Sequence, residues 1–271
     1  MSDLSAEAIT RALDAMGAPV GRPIEVKALT GSTNDDARTA AGRGAPHGAA
    51  IVADAQTQGR GRGGHTWHSP AGENIYLSMI VRPRVPAASV APTALAVGAA
   101  LSRVIEARVA GRAPVWIKWP NDVLVGAAGA GEAAILRAKK IAGVLVEGQL
   151  RGSEVASLVV GVGVNVRAAA FPEEIARRAT SLAMVGVEDL DRSGIAAEII
   201  AAIGAAIARY EVDRLVSFLP DLERMDALRG ARVEVAGVRG EAVGIDAEGR
   251  LSVRRSDGTV AQVATGEVAL V

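Results

Sequence analysis

Cysteine is absent from this 271-residue chain, which removes disulfides, thiolate metal sites and cysteine nucleophiles together. Histidine is nearly absent. Only His47, His65 and His68 offer imidazole, and no third metal ligand lies near His65 and His68 in sequence. Neither charge is in excess: 30 basic side chains balance 30 acidic ones, which argues against bulk attraction to nucleic acid or an anionic membrane. No basic start followed by an apolar stretch marks a signal peptide. One uncharged run, Val85 to Ser102, has the length of a membrane span, but its prolines, hydroxyls and alanines make its transfer energy too small. The chain is therefore expected to be cytoplasmic.

Aromatic residues make up 3% of the chain, and all three tryptophans (Trp67, Trp116, Trp119) fall in or beside two short segments. The first is Gly59-Arg60-Gly61-Arg62-Gly63-Gly64-His65-Thr66-Trp67, and the second is Lys118-Trp119-Pro120-Asn121-Asp122. Lysine is scarcer still: four against 26 arginines, with Lys118, Lys139 and Lys140 inside one stretch of 23 residues. A chain that takes arginine elsewhere has lysine here. Lysine is the better fit where a compact ammonium on a flexible stem sits beside a reacting oxyanion.

Apolar content of 49%, much of it alanine and valine, is ample for a finely packed core. The length suits one large domain with a small appendage. Hydrophobic periodicity predicts a Ser5-capped helix with Ile9, Leu13 and Met16 on one face, a strand from Ile24 to Leu29, and a hydroxyl-capped helix from Ser32 to Gly42. Strands are expected at Ala49 to Ala55 and Ile75 to Val81, with the glycine-arginine segment as the loop between them. A long helix follows from Val90 to Val109. Val115 to Trp119 and Val123 to Val125 read as strands joined across the Pro-Asn-Asp turn, and Lys140 to Glu147 and Glu154 to Val162 as a second pair. Gly126 to Ala138 reads as an extended hairpin loop. Ser193 is expected to cap a helix buried through Ile195, Ile199, Ile203, Ile207 and Tyr210, and a further helix is interrupted near Pro220 and closes at Gly230.

From Ala231 the texture changes to short strands with glycine turns at Gly237, Gly240, Gly249, Gly258 and Gly266. The expected fold class is α+β: a mixed sheet with flanking helices over residues 1–226, followed by a small β-barrel over 227–271.

The glycine-arginine loop suits an anion. Glycines permit positive φ and close approach of backbone amides, and Arg60 and Arg62 offer planar forks. A short RNA-binding tract or a merely flexible turn is the alternative. Lys118 to Asp122 ends a strand and points a cation and a carboxylate out of it; a Pro-Asn turn with two solvated charges gives the same pattern. Asp122 suits a magnesium ion, which prefers oxygen ligands and phosphate bridges. Gly161-Val162-Gly163-Val164-Asn165 lacks the third glycine of a dinucleotide fingerprint, and no Gly-Lys dipeptide exists for a Walker A loop. Nucleotide binding here needs another kind of site.

Taken together, Ser32-Thr33-Asn34, Gln56-Thr57, Gly59-Arg60-Gly61-Arg62-x-Gly64, Trp67, Lys118-Trp119-Pro120-Asn121-Asp122, Lys140-x-Ala142-Gly143 and Gly161-x-Gly163-x-Asn165 resemble the biotin protein ligases, in that family's order. The resemblance implies a class II synthetase-like catalytic domain with an SH3-like C-terminal domain. It implies ATP and biotin as substrates, Mg2+ as the cofactor, a biotinyl-5′-AMP intermediate, and transfer to one lysine of a biotin carboxyl carrier domain of a carboxylase. By the same resemblance Ser32, Thr33, Asn34, Gln56, Gly59, Arg60, Arg62, Lys140 and Gly143 would serve biotin. Arg62, Trp67, Lys118, Asn121, Asp122 and Asn165 would serve ATP and the adenylate, with Asp122 on the metal side. Lys140, Arg62 and Lys118 would be catalytic.

Three features depart from the family's pattern. His65 stands where arginine is usual, Gly126 to Ala138 is longer than the usual turn, and the sequence stops at Val271 where some relatives carry a further arginine. Too few residues precede Ser32 for the helix-turn-helix module of some family members, so no operator DNA is expected as partner, and the expected assembly is a monomer or weak homodimer. A lipoate-type ligase is the nearest alternative. It resembles this chain in chemistry but lacks both the glycine-arginine loop and the Lys-Trp-Pro-Asn-Asp turn.

Overall fold

The computed structural model describes residues 3–126, 135–151 and 154–271. Helix α1 (Ala6–Ala15) starts at Ser5, whose Oγ accepts from the Ala8 amide at 3.0 Å, and buries Ile9 and Leu13. Met16, expected on that buried face, lies past the last turn and is exposed. Strand β1 (Ile24–Lys27) pairs in parallel with β2 (Ala50–Ala53), which pairs antiparallel with β3 (Ile75–Val81). Between β1 and β2 runs α2 (Thr33–Gly42). Helix α3 (Val90–Val109) leads to β4 (Val115–Lys118), β5 (Asp122–Val125), β6 (Lys139–Arg151) and β7 (Glu154–Val164). The sheet order is β1-β2-β3-β7-β6-β5-β4, a mixed sheet of seven strands.

Strand period decides which side chain faces where. On β3, Ile75, Leu77, Met79 and Val81 enter the main core, and on β7 Val160, Val162 and Val164 do the same. The alternate residues, Tyr76, Ser78 and Ile80 on β3 and Val159, Gly161 and Gly163 on β7, face the other side, where α2 packs through Ala37 and Ala41. This second face carries the candidate site.

The β6–β7 hairpin is longer than expected, because its pairing continues past the core to Arg151 and Glu154. Most of the segment read as an extended loop, 127–134, lies outside the described residues. After β7 come the one-turn helix α4 (Glu173–Ala176), then α5 (Arg192–Asp213) and α6 (Leu219–Arg224). Two expectations are corrected here. Asp191, not Ser193, caps α5, its carboxylate accepting from the Ser193 and Gly194 amides. The earlier start places Arg192 inside the first turn, 1% exposed, where it pairs with Asp54 at 2.7 Å and Asp3 at 2.6 Å. Pro220 opens α6 rather than interrupting a helix, since its missing N–H has no partner to lose in the first turn.

Beyond α6 the chain is not helical to Gly230: it bridges β4 once, at Asp226, and then turns. Ile117 donates to Met225 O at 2.7 Å and accepts from the Ala227 amide at 3.0 Å, satisfying the free edge of β4. The C-terminal sheet then folds from β8 (Arg232–Val235), β9 (Val238–Ile245), β10 (Leu251–Arg254), β11 (Val260–Val263) and β12 (Ala269–Leu270), all antiparallel, in order β11-β10-β9-β8-β12. Gly240, read as a turn, lies inside β9, where a Cβ would meet Arg254 O at 2.1 Å. One apolar cluster joins this sheet to α3, α5 and α6 through Val233, Val253, Leu95, Tyr210 and Leu222. By length and composition α3 meets the criteria for a membrane span, and it packs here against α5 and β6.

Asp226 lies in the junction between the two sheets, 3% exposed. Its Oδ1 accepts from the Leu228 amide at 2.9 Å while Oδ2 has no partner. Burial pushes its pKa up to about 6, only partly opposed by that bond and by Arg229. The folded state therefore holds this proton more tightly than the unfolded chain. Its contribution is most favourable below the ordinary carboxylate value of 3.8 and is lost as pH rises through about 6. Asp226→Asn keeps a Leu228 acceptor and removes the titration. Denaturant unfolding of both proteins between about pH 4 and 7 is expected to show wild type losing on the order of 2 kcal/mol relative to the variant.

Candidate active site

On β7 two glycines face the site, and both positions are filled by neighbours. A Cβ on Gly161 would lie 2.0 Å from Asn34 Oδ1, and one on Gly163 2.5 Å from the Trp67 ring. The Gly-x-Gly spacing, which failed as a dinucleotide fingerprint, is thus a strand whose site-facing positions give way to two side chains. Asn34, buried in the first turn of α2, accepts from Ser78 Oγ at 2.6 Å and donates to Glu147 at 2.8 Å. Glu147 in turn holds Arg60 at 2.7 Å, and Asp35 holds the same guanidinium at 3.0 Å. Arg60, expected on biotin, lines the cavity with its guanidinium already held by these two carboxylates.

That loop is more ordered than a flexible connection. Gly61 donates to His65 O at 2.7 Å and Trp67 to Gly59 O at 2.9 Å, folding 59–67 into a small flap. Gly59 is required at its crossing, where a Cβ would lie 2.4 Å from Trp67 O. Gln56 joins the flap to α2: its Oε1 accepts from the Thr33 amide at 2.9 Å and its Nε2 donates to Ser69 Oγ at 3.0 Å. The expected hydroxyl cap from Ser32 is therefore replaced by Gln56. Ser32 is buried to 3% on the wall of the cavity, and its side chain makes no capping bond.

At the far end, β4 and β5 turn through Lys118 to Asp122. Trp119 is buried and donates to Gly249 O of the C-terminal sheet at 2.9 Å. Lys140 lies on β6 with its ammonium 2.6 Å from Asp122 Oδ1 and 5.1 Å from the centre of the Trp67 ring. Gly143 completes this corner, since a Cβ there would sit 3.1 Å from Lys140 Cε and 3.2 Å from Trp67. Lys139 does not line the cavity. Asn121 and Asn165, both expected on the nucleotide, have their amide nitrogens on backbone carbonyls: Asn121 on Val144 O at 2.9 Å, Asn165 on Thr180 O at 2.9 Å. They position the turn and the strand end.

Among the described residues Arg62 makes no ion pair. It donates to Gly266 O at 2.8 Å and to Thr265 Oγ1, so the flap is clasped by the C-terminal sheet. His65 at the rim is 68% exposed and 3.8 Å from Glu267. Glu267 belongs to the loop between β11 and β12.

These elements enclose one cavity of about 880 Å³. Every sequence-predicted site residue except Gly59 lines it, and Gly59 lies beneath its flap. Sequence reasoning missed Ser78, Glu147, Phe171, Ile175, Arg177, Arg178 and the 266–268 segment. Ser78 had a visible signal, as the one polar residue in the apolar run of β3; the others had none outside the tertiary fold. Among the described residues the lining carboxylates are Asp122 and Glu267, and no group of three metal-ligating side chains exists. The donors fit a magnesium ion held by one carboxylate and by phosphate oxygens, not by a protein cage.

Residues 30–165 match the biotin/lipoate A/B protein ligase family and residues 232–271 the biotin protein ligase C terminal domain, and the chain belongs to that ligase family. It is 36% identical to the biotin--[acetyl-CoA-carboxylase] ligase of Mycobacterium tuberculosis, over 91% of this chain and 88% of that protein. It is 31% identical to the bifunctional ligase/repressor BirA of Bacillus spizizenii, over 88% of this chain and 71% of that one. Among solved structures, the biotin protein ligase from Aquifex aeolicus in complex with biotin and ATP superposes with a TM-score of 0.74 at 27% identity, covering 92% of this chain and 98% of that one.

The close approach at β7 is directly testable. Gly163→Ala is expected to lift the Trp67 indole off the strand without unfolding the sheet. Acrylamide quenching of tryptophan fluorescence should rise at unchanged circular dichroism, whereas unchanged quenching would refute the contact.

Proposed function

We propose that this chain activates biotin with ATP as biotinyl-5′-AMP and then passes biotin to a lysine of a biotin carboxyl carrier domain. The observation that carries this reading is one cavity with two chemically distinct ends. At one end lie the Ser32 hydroxyl and the Thr33–Gln56 pair. At the other lie Lys118 and Lys140, with Trp67 flanking Lys140. A ring amide suits the first end, and a carboxylate meeting a phosphate suits the second.

In the first step a biotin carboxylate oxygen bonds to the α-phosphorus. The bond from that phosphorus to the bridging oxygen breaks, and pyrophosphate leaves with the electron pair. Two anions must meet, and Lys140 is the cation placed to offset their repulsion and the charge that develops between them. Its ammonium is held ready by Asp122 at 2.6 Å. Magnesium, carried in on the triphosphate, would supply further charge neutralisation, with Asp122 as its protein ligand. Trp67 offers an aromatic face to the adenylate. In the second step the amine of the acceptor lysine attacks the acyl carbon, an amide forms, AMP leaves with the electron pair, and the amine loses its proton. Arg62 and its clasp keep the flap shut over the anhydride between the two steps. The residues 1–226 carry this chemistry in our reading, 227–271 complete the enclosure, and the protein acts in the cytoplasm.

Pyrophosphate release from ATP that requires biotin and magnesium, followed by labelling of a carrier domain, tests the reading; lipoate in place of biotin should give no release. Lys140→Arg is expected to fold yet lose most adenylation, at least about a hundredfold, because a wide guanidinium does not fit the ammonium's place beside Trp67 and Gly143. Lys139→Arg, outside the cavity, should be mild.

Arg62→Gly removes the clasp to Gly266 and Thr265. It is expected to form the intermediate but release it, read as free biotinyl-5′-AMP and labelling of bystander lysines. Retention equal to wild type would remove Arg62 from this role.

A further inference from the structure

Among the described residues, six lysine and arginine side chains line the cavity against two carboxylates, in a chain whose overall charge is zero. Three of the six have partners already: Lys140 on Asp122, Arg60 on Asp35 and Glu147, and Arg62 on Gly266 and Thr265. Among the described residues the other three, Lys118, Arg177 and Arg178, have no ion pair. Arg177 and Arg178 follow α4, whose own acids, Glu173 and Glu174, make no ion pair with them. A helix of four residues has too little dipole to account for two arginines at its end.

The backbone fixes this pair relative to Lys140. The Lys140 amide donates to Arg178 O at 2.7 Å, and the Thr180 amide donates to Lys140 O at 2.9 Å. Ala179 between them is buried. The two guanidinium groups thus stand on the turn that follows α4, and that turn is tied by the Arg178 carbonyl and the Thr180 amide to the strand that carries Lys140. Phe171 and Ile175, on the same segment, give the cavity an apolar wall beside them. Unpaired planar forks next to a lysine, inside a concavity rich in positive charge, suit a polyphosphate better than a single carboxylate.

We propose that Arg177 and Arg178, with Lys118, form the subsite for the β- and γ-phosphates of ATP and for the pyrophosphate that departs. This rests on the ATP-dependent reading above and extends it to the leaving group. When the bond from the α-phosphorus to the bridging oxygen breaks, the electron pair and the negative charge pass to pyrophosphate, and the two guanidinium groups take up that charge. AMP, which lacks those phosphates, is not held there.

The test compares wild type, Arg177→Ala, Arg178→Ala and the double variant, with the Arg→Lys double variant as charge-retaining control. Both side chains are exposed, so folding is preserved, and a thermal melt checks this. The readouts are the KM values for ATP, biotin and acceptor, inhibition by inorganic pyrophosphate, and affinity for AMP. The double alanine variant is expected to raise the KM for ATP and the inhibition constant for pyrophosphate about tenfold or more. Biotin KM and AMP affinity should stay near wild type, and the lysine variant should recover part of the loss. Unchanged pyrophosphate inhibition overturns the subsite, and so does an equal loss for AMP and pyrophosphate. A raised KM for acceptor alone also overturns it and assigns the pair to acceptor docking. Failure of the wild type to release pyrophosphate from ATP strikes the proposed reaction itself, and is read separately on the unmodified protein.

Discussion

The site depends on a close approach between side chains and a bare strand. Because Gly161 and Gly163 present no Cβ on the face of β7 turned toward α2, Asn34 and Trp67 lie directly on the backbone. Asn34 then reaches Glu147, Glu147 reaches Arg60, and Arg60 fixes the root of the flap. Trp67, the last residue of the flap, lies beside Lys140. A single methyl group at either glycine would displace the first member of one of these chains. The cost would fall on several contacts at once, since close-packed interiors leave nowhere for a shifted ring to go.

Electrostatics builds on that platform. The chain has no net charge to attract an anion from a distance, so its cations act by local concentration. Some are held by carboxylates before any ligand arrives: Lys140 by Asp122, Arg60 by Glu147 and Asp35. Such pairing costs part of the attraction to an incoming anion. In return the ammonium already stands where charge will develop, and no reorganisation is needed at that moment. Arg62 is held differently, by a carbonyl and a hydroxyl of the C-terminal sheet, and it bonds across the boundary between the two sheets.

That boundary is a shared core, not a hinge of polar contacts. Leu95 and Ala99 of α3, Tyr210 of α5 and Leu222 of α6 pack in the same cluster as Val233, Leu251 and Val253 of the C-terminal sheet. Trp119 bridges the two through Gly249, one residue beyond Lys118. The wall of the cavity formed by Gly266, Glu267 and Val268 is therefore set by apolar packing some distance away. The run that resembled a membrane span in composition, α3, is apolar because it packs against both sheets.

Local chemistry was readable without the fold. The strand and helix periods, the scarcity of lysine around Lys118 and Lys140, the glycine-arginine segment and the order of the motifs all follow from neighbours in sequence. They sufficed for the fold class, and thirteen of the fourteen residues singled out for the site line the cavity. Where the reading failed, a distant partner had decided the outcome. Gln56 took the cap expected of Ser32, and Arg192, buried beside Asp3 and Asp54, opens α5 with Asp191 as its cap. The residues after α6 left the helix to fill the open edge of β4. Arg177 and Arg178 gave no signal because their position comes from a backbone pairing with Lys140 across 38 residues of sequence. Sequence by itself determined which residue types were available for the chemistry, since composition and period are local. Only the tertiary structure decided which of those charges are already paired and which stand free, because pairing is a matter of distance between segments that the sequence does not order.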